Sequence, residues 1–187
     1  MTGLEFLRFL ARYRGVSDFS RAEALMARFE LDPRGRIRRM SKGMKQKVGI
    51  VCAFMHDPAV LVLDEPTSGL DPLMQNRFIE LVLEEKARGK TILLSSHMFE
   101  EVERTCDRVG IIRAGRLVAD DPVETLRGRY LRSYTVTLES PEQAAAFARD
   151  FAGEQNGLQV TVRAQKSLEN IFLEYYGGGE NHGTHTV

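Results

Sequence analysis

The chain has 187 residues, 43% of them hydrophobic, and its 26 basic residues balance its 26 acidic residues. This composition is typical of a globular protein with one core and a small additional part, and the balanced charge argues against nucleic-acid binding through bulk electrostatics. Cys52 and Cys106 lie far apart in no metal-binding pattern, which argues against structural zinc and suits a reducing compartment. No apolar run approaches the ~20 residues of a membrane span. Residues 1–5 do not resemble the beginning of a signal peptide, so we expect the protein to be located in the cytoplasm.

Three helices are predicted in the first third of the chain. The first covers residues 4–14, and the second covers residues 21–29, before a Pro and Gly break. Ser41 is a good N-cap for a third helix that ends near Met55. Four arginines crowd the approach to Ser41, and we expect them to form a solvated face, with a polyanion site as the alternative; they are Arg34, Arg36, Arg38 and Arg39.

A continuous apolar run over residues 59–63 ends in two adjacent carboxylates, Asp64 and Glu65. A run without alternation predicts a parallel strand that is buried on both faces. Ligands of open parallel sheets gather at the carboxyl ends of the strands, where these acids would lie. One acid could hold Mg²⁺ while the other handles a proton, as hydrolysis of a phosphate ester requires. A strand followed by an acidic turn is the alternative.

Helices and strands continue to alternate beyond this point. Asp71 as N-cap, Pro72 as the first helical residue and Gly89 as the terminator predict a helix that reaches about residue 88. This alternation indicates an α/β fold with a parallel sheet and crossover helices. The further elements are a strand, a helix and two strands separated by a turn, at residues 91–94, 98–106, 109–112 and 116–118.

The texture of the sequence changes near residue 133. Two alternating segments, residues 134–138 and 158–162, indicate half-exposed strands, and helices are predicted near residues 142–151 and 167–176. We expect a small α+β extension over residues 132–176 that is either regulatory or a cover for the sheet, with the cover favoured. The glycine-rich tail, residues 177–187, is predicted to be disordered, and a metal site at its His182 and His185 is the less favoured alternative.

Four short motifs occur in one order with a joint spacing that is highly specific; they are MSKGM at residues 40–44, DEP at 64–66, SGLD at 68–71 and SSH at 95–97. Over residues 4–130 the chain resembles the ATP-binding subunits of ABC transporters, and most of all the bacterial multidrug or ABC-2 export branch. The resemblance implies a partial P-loop NTPase sheet with a helical subdomain, over residues 1–131. The signature motif, Walker B end, D-loop and switch histidine of that family correspond to residues 40–44, 64–66, 68–71 and 95–97.

The resemblance also implies a role for each motif residue. Asp64 would hold Mg²⁺, and Glu65 would polarise the attacking water as a general base. His97 would contact the γ-phosphate of ATP and position that water. Lys42 stands where the commoner signature has glycine. The signature positions would face the γ-phosphate at a helix N-terminus, and the D-loop aspartate would shape the interface with a second nucleotide-binding subunit; these positions are Ser41, Gly43, Met44 and Asp71.

The phosphate-cradling loop G-x-x-x-x-G-K-[ST] of that family does not occur in these 187 residues. Residues 89–91 imitate its end, but position 84 is glutamate and a helix precedes the segment where a strand is required. We therefore expect the C-terminal part of an ATP-binding subunit, with little or no ATPase activity by itself. We also expect unpaired strand edges, or a gap lined with apolar side chains, where the family has its P-loop strand.

The leading interpretation is a subunit that uses ATP and Mg²⁺ to energise export, bound through a permease to the inner face of the cell membrane. One alternative is a non-catalytic module that lends its signature face to a partner nucleotide-binding subunit. Another is an ABC-type ATPase that acts on nucleic acid or ribosomes. That alternative is disfavoured because a second ATPase domain and a long coiled coil are absent from this sequence, and we expect no nucleic-acid partner.

Overall fold

The computed structural model describes residues 1–129 and 131–165. Its contacts divide the chain into a first unit, Met1–Thr105, and a second that begins at Cys106. Among the described residues, no helix combines the length and the apolar content that crossing a bilayer requires. The first unit contains α1 (Gly3–Tyr13), α2 (Ser20–Arg28), a 3₁₀ turn (Ile37–Arg39), α3 (Lys42–Phe54), β1 (Val60–Asp64), α4 (Pro72–Ala87), β2 (Thr91–Ser95) and α5 (Phe99–Thr105).

The ends of α3 and α4 are set by the residues that the sequence indicated. The Ser41 side chain accepts a hydrogen bond from the backbone N–H of Met44 at 3.2 Å, and Asp71 accepts one from Met74 at 3.0 Å. Each side chain therefore satisfies an N–H group that the first helical turn leaves without a partner. At the other end of α4, Gly89 has a φ of +83°, a conformation that suits glycine.

The core of the first unit lies between the helices and one face of β1. Phe54 of α3 and Phe78 of α4 are fully buried and meet edge to face, with ring centroids 6.3 Å apart. Leu61 and Leu63 of β1 belong to the same core. The apolar run that precedes the acid pair is therefore anchored in the core, and it holds the acid pair at the end of the strand.

Strands β1 and β2 pair in parallel, with Asp64 opposite Ser95 at their carboxyl ends. This pairing confirms the predicted parallel α/β arrangement. The expectation of burial on both faces is wrong: Val62 is 73% exposed and Leu93, its partner in register, is 65% exposed. Successive side chains of a strand point to opposite faces, and the described residues cover only the face that carries Leu61 and Leu63. The expectation of unpaired strand edges, or of a gap lined with apolar side chains where the family has its P-loop strand, stays a prediction.

The second unit begins with β3 (Arg108–Arg113) and β4 (Arg116–Pro122), which pair antiparallel in a sheet of their own. The two strands and the turn between them were predicted, and all three occur. A two-residue turn, Ala114 and Gly115, joins them, and both residues have positive φ. Such a turn connects antiparallel neighbours, whereas parallel strands need a crossover of a dozen or more residues.

The rest of the second unit, as far as the structure describes it, comprises a three-stranded antiparallel sheet and two helices. The strands and the helix predicted at residues 134–138, 142–151 and 158–162 occur, and a short polar strand was missed. The helix predicted at residues 167–176 and the tail at 177–187 lie outside the described residues, and the domain limits 1–131 and 132–176 stay predictions. These elements are α6 (Val123–Arg129), β5 (Leu131–Thr137), α7 (Pro141–Asp150), β6 (Glu154–Asn156) and β7 (Gln159–Gln165).

Candidate functional site

The carboxyl ends of β1 and β2 are tied together by hydrogen bonds that involve Ser95. The backbone N–H of Glu65 donates to the carbonyl oxygen of Ser95 at 3.1 Å and also contacts its hydroxyl oxygen at 3.1 Å. The same hydroxyl donates to Oδ1 of Asp64. Ser95 therefore fixes the backbone of one acid and the carboxylate of the other. Sequence reasoning assigned no such role to Ser95.

Glu65 and His97 are in direct contact. Nδ1 of His97 lies 2.5 Å from Oε2 of Glu65, and the two side chains are 71% and 39% exposed, respectively. A carboxylate can only accept hydrogen bonds, so Nδ1 carries the hydrogen and Nε2 is left to face solvent or a ligand. Glu65 also has a φ of +45°, which is uncommon for a residue with a side chain.

The structure thus brings together the three residues that the sequence singled out at the strand ends. Asp64 is linked through Ser95 to the backbone of Glu65, and the Glu65 carboxylate contacts His97. All three lie at the edge where ligands of parallel sheets bind. The arrangement offers an exposed carboxylate, a carboxylate in contact with an imidazole, and a second imidazole nitrogen in one place. Their chemical roles stay predictions at this point.

The N-terminus of α3 packs against the segment that follows β1. Nζ of Lys42 donates to Oγ of Ser68 at 2.8 Å, and the aliphatic part of Lys42 lies within about 3 Å of where a side chain on Gly69 would begin. A Cβ atom on Gly43 would lie 2.7 Å from the carbonyl oxygen of Gly69, which is too close for any side chain. Contacts within the chain therefore require glycine at position 43 and give Lys42 a partner.

Gln46 connects α3 directly to the acid pair. Its Nε2 donates to the carbonyl oxygens of Glu65, at 3.1 Å, and Pro66, at 2.8 Å. Gln46 lies four residues after Lys42, so the two side chains share one face of the helix. Sequence reasoning missed this contact, although that spacing places a polar pair on one side of α3 and was available as a signal.

Asp71 caps α4 through its contact with the backbone of Met74. This is the role that the residue type and the following Pro72 predicted. The additional role at an interface with a second subunit, which the family resemblance implies, stays a prediction. Ser41 likewise has one observed role, as the cap of α3, and one predicted role, in which it would face a phosphate.

Glu101 of α5 is a buried carboxyl group that sequence reasoning missed. It is 1% exposed, and its Oε2 accepts hydrogen bonds from Ser96, at 2.5 Å, and Thr67, at 3.2 Å. Its Oε1 has no hydrogen-bond partner among the residues that the structure describes. Burial raises the pKa of Glu101, because the charged form loses its hydration. The sequence offers little indication that Glu101 is buried, because an acidic helix such as α5 is typical of a protein surface.

A network of ion pairs lies elsewhere in the first unit and joins α2, α4 and the start of β2. Glu85 is 3% exposed; it contacts Arg21 at 2.6 Å, Arg88 at 3.0 Å and also Lys90. Burial alone would raise the pKa of Glu85, but hydrogen bonds from Lys90 and Arg21 outweigh it, so the pKa is lowered. Hydrogen bonds from Lys90 and Arg88 lower the pKa of Asp57 to about 2. The network stabilises the helical layer on which the site rests.

The predicted Mg²⁺ ligand has suitable chemistry. Mg²⁺ prefers oxygen ligands, keeps several waters, and is usually held by one or two carboxylates together with substrate phosphates. Asp64 is exposed at the strand end, and its Oδ1 accepts a hydrogen bond from the Ser95 hydroxyl. The residues that the structure describes contain no group of three or more His, Cys, Asp or Glu side chains placed to hold a metal. Asp64 therefore fits a metal that is held mainly by phosphate and water.

Known proteins are similar to this chain in sequence and in fold. A family model described as "AAA domain, putative AbiEii toxin, Type IV TA system" matches residues 27–101. The ABC transporter ATP-binding protein NatA of Bacillus subtilis is 40% identical over 131 residues, which cover 67% of this chain and 53% of NatA. Nod factor export ATP-binding protein I of Rhizobium etli is 32% identical over an alignment of 209 positions, gaps included, and the match covers 92% of this chain and 64% of that protein.

A solved ATP-binding subunit of an ABC transporter has 38% sequence identity and a TM-score of 0.62, and the match covers 70% of this chain and 56% of that one. This chain belongs to the ATP-binding subunits of ABC transporters. The residues that resemble the signature motif of this family lie at the start of α3, those that resemble its Walker B acids lie at the end of β1, and His97, which resembles its switch histidine, follows β2. The chain spans at most 64% of the length of the three proteins just described.

Proposed function

We propose that this chain forms part of a subunit that hydrolyses ATP to energise export across the cytoplasmic membrane. The contact between Glu65 Oε2 and His97 Nδ1 at 2.5 Å carries the proposal. It pairs a candidate general base with an imidazole at the ends of two neighbouring parallel strands. Glu65 would take the proton of the attacking water, and His97 would position that water and the γ-phosphate.

The geometry around Glu65 and His97 supports this division of roles. The Glu65 backbone is held by Ser95 on one side and by Gln46 on the other, so its carboxylate starts from a fixed point. His97 is 71% exposed, which leaves its ring accessible to a phosphate. The contact through Nδ1 orients the ring and directs Nε2 away from Glu65. A base and a positioning group are thus preorganised before any ligand arrives.

Asp64 is proposed to hold Mg²⁺, directly or through water. The Ser95 hydroxyl orients this carboxylate by donating to its Oδ1, and it adds a second oxygen at the same strand end. When bound, Mg²⁺ supplies positive charge that stabilises the phosphate oxygens during transfer. Asp64 and Glu65 are adjacent in sequence, which suits a metal ligand and a base that serve one phosphate.

The start of α3 is proposed to face the ATP held by a second nucleotide-binding subunit. The N–H groups of the first turn and the positive end of the helix dipole favour an anion there. Asp71 would lie at the same subunit interface, and a permease would bind the assembly to the inner face of the membrane. The name of the Rhizobium relative, a Nod factor export protein, supports export as the class of task. The residues proposed to face the γ-phosphate are Ser41, Gly43 and Met44.

The decisive experiment joins this chain to the P-loop segment of NatA and measures Mg²⁺-dependent ATP hydrolysis. We expect turnover in the joined protein, and we expect Glu65→Gln to lower it by roughly 10²–10⁴-fold while ATP binding persists. Glu23→Gln, which changes an exposed acid on α2, is the matched control and should keep full turnover. A joined protein that binds ATP but stays inactive with Glu65 intact would contradict the proposal.

A second candidate is a non-catalytic module that lends its signature face to a complete partner subunit. It is favoured by one observation: the start of α3 is already ordered by contacts with Ser68 and Gly69 of its own chain. The chain would then complete the ATP site of its partner. Ser41→Arg should abolish the partner's activity in that case, and Glu65→Gln in this chain should leave the partner's activity unchanged.

A further inference from the structure

One buried carboxyl oxygen joins the two segments that carry the proposed catalytic residues. Oε2 of Glu101 accepts hydrogen bonds from Ser96 and Thr67. Ser96 immediately precedes His97, and Thr67 lies two residues after Glu65. The segment after β1 and the segment after β2 are therefore held by the same atom. Because the hydroxyl groups of Ser96 and Thr67 bind one oxygen atom, the backbone of these two segments is restricted in its position.

Ser96 is held on both sides of its hydroxyl group. It donates to Glu101, and it accepts a hydrogen bond from the backbone N–H of Met98 at 3.0 Å. His97 lies between Ser96 and Met98, so this pair of bonds fixes the backbone from which the imidazole projects. Met98 is also held by Thr67, whose hydroxyl contacts its Sδ at 3.7 Å. The whole loop of His97 is thus assembled around Glu101.

The second oxygen of Glu101 indicates that the fold alone does not favour a carboxyl group here. Oε1 is buried without a hydrogen-bond partner, and a polar atom in that state destabilises the folded protein. Glu101 and Thr67 also line a small cavity of about 80 Å³ together with Gln75, Asn76, Ile79 and Met98. An apolar side chain here would leave the hydroxyl groups of Ser96 and Thr67 without this acceptor, so the position is suited to an oxygen acceptor and not to apolar packing.

We propose that Glu101 is a positioning residue that keeps the His97 ring in contact with Glu65 by holding Ser96 and Thr67. The effect of Glu101 on ATP hydrolysis rests on the proposed function, whereas its effect on the placement of His97 does not. The two carboxyl groups then have different tasks. Glu65 is exposed to the ligand side, and Glu101 acts from the interior through two hydroxyl groups.

The test measures the tautomer of His97 in the 187-residue chain by ¹⁵N NMR of the histidine rings at alkaline pH, with His97→Gln used for assignment. The wild type should show the hydrogen on Nδ1, because the Glu65 carboxylate accepts there. Glu101→Gln keeps an oxygen that accepts from both hydroxyl groups and should preserve this tautomer. Glu101→Leu removes the acceptor and should lose it. Glu100→Gln, at a neighbouring side chain that is 77% exposed, is the control and should match the wild type.

If Glu101→Leu does not fold, as judged by circular dichroism, Ser96→Ala combined with Thr67→Val tests the same bridge and should also lose the Nδ1 hydrogen. The proposal is overturned if a folded Glu101→Leu, or that double variant, keeps the wild-type His97 signal. Equal loss in the Gln and Leu variants also overturns it, because the oxygen acceptor would then be irrelevant. None of these measurements uses nucleotide. An inactive joined protein would refute the proposed function, whereas the role of Glu101 in placing His97 is decided by the NMR measurement alone.

Discussion

Nζ of Lys42 lies 2.8 Å from Oγ of Ser68, and this contact ties the signature helix to the loop that follows the acid pair within a single chain. Lys42 occupies the position where the commoner family signature has glycine. Its stem also covers Gly69, so the lysine packs as well as donates. The departure from the usual motif therefore has a physical explanation in the neighbouring loop.

A double-mutant cycle should measure this link. Lys42→Met keeps most of the stem but removes the donor, and Ser68→Ala removes the acceptor. Because the pair is partly solvent-exposed, we expect a coupling free energy of about 0.5 kcal/mol from chemical denaturation of the four proteins. Lys45→Met, on an exposed residue of the same helix, is the control and should show no coupling to Ser68→Ala. Additive effects of Lys42→Met and Ser68→Ala would contradict the link.

Two glycines of α3 should respond in opposite directions to replacement by alanine. A Cβ atom on Gly43 would lie 2.7 Å from the Gly69 carbonyl oxygen, so Gly43→Ala forces backbone apart and should lower the free energy of unfolding by about 1–3 kcal/mol. Gly49 has no atom within 4 Å of that position, so Gly49→Ala should raise it by about 0.5–1 kcal/mol. Urea denaturation of both variants checks this, and equal effects would show that the Gly43 contact is not restrictive.

The ion-pair network should distinguish two adjacent glutamates on α4. Glu85 is buried against three cations, so Glu85→Ala leaves Lys90, itself 8% exposed, without one of its partners. We expect a loss of about 3 kcal/mol in the free energy of unfolding. Glu84 is 58% exposed and pairs with Arg28 at 2.6 Å, and Glu84→Ala should cost no more than about 1 kcal/mol. Similar losses for both variants in urea denaturation would argue against a buried network.

Stability should depend on pH with two opposite contributions. The lowered pKa values of Asp57 and Glu85 mean that their stabilisation is present above the ordinary carboxyl range and is lost as pH falls below that range, in the case of Asp57 towards a pKa of about 2. Glu101 has a raised pKa, so the folded state favours its neutral form, and its contribution is lost as pH rises above 4.5. Glu101→Gln should therefore be more stable than the wild type at neutral pH and should lose this advantage below about pH 4.5.

Thermal unfolding of the wild type and Glu101→Gln across this pH range measures the difference. The exposed Glu100→Gln is the control and should follow the wild type throughout. A constant difference between Glu101→Gln and the wild type at every pH would mean that Glu101 does not bind its proton more tightly in the folded state.

The exposed sheet face should tolerate a polar residue that the core does not. Val62 is 73% exposed and Val51 is fully buried. Val62→Thr should change the free energy of unfolding by less than about 0.5 kcal/mol and should reduce aggregation seen by light scattering, because it removes apolar surface. Val51→Thr buries a hydroxyl group in the core and should cost about 1–3 kcal/mol. Equal destabilisation by the two variants would show that the β1 face is covered in solution.

The sequence predicts most of the local structure because its signals are local. Ser41 and Asp71 are caps whose partners lie three residues away, and the run before Asp64 is a strand by composition alone. The shared edge of Asp64 and His97 could be inferred because parallel strands end together. The exposure of the outer face of β1 could not be inferred, because apolar residues do not reveal whether anything packs against them.

Other features depend on contacts between distant segments and were therefore missed. The bonds from Gln46 to the Glu65 carbonyl and from Ser96 to Glu101 join residues whose types are ordinary for exposed helices and loops. Nothing in the sequence near Glu101 distinguishes it from its exposed neighbour Glu100. The strands β3 and β4 and the Ala114-Gly115 turn between them were predicted, because the turn is a local signal, but the antiparallel pairing of the two strands was not stated.

The left-handed backbone at Glu65 implies that fold stability and the function of the carboxylate favour different residues at this position. Glycine would adopt that φ without the cost of about 1–2 kcal/mol that a side chain incurs. Selection for robustness alone would favour losing the carboxylate there. A lineage that kept glutamate in this turn would have accepted a weaker fold in return for what the acid does, and a lineage released from that work would be free to replace it.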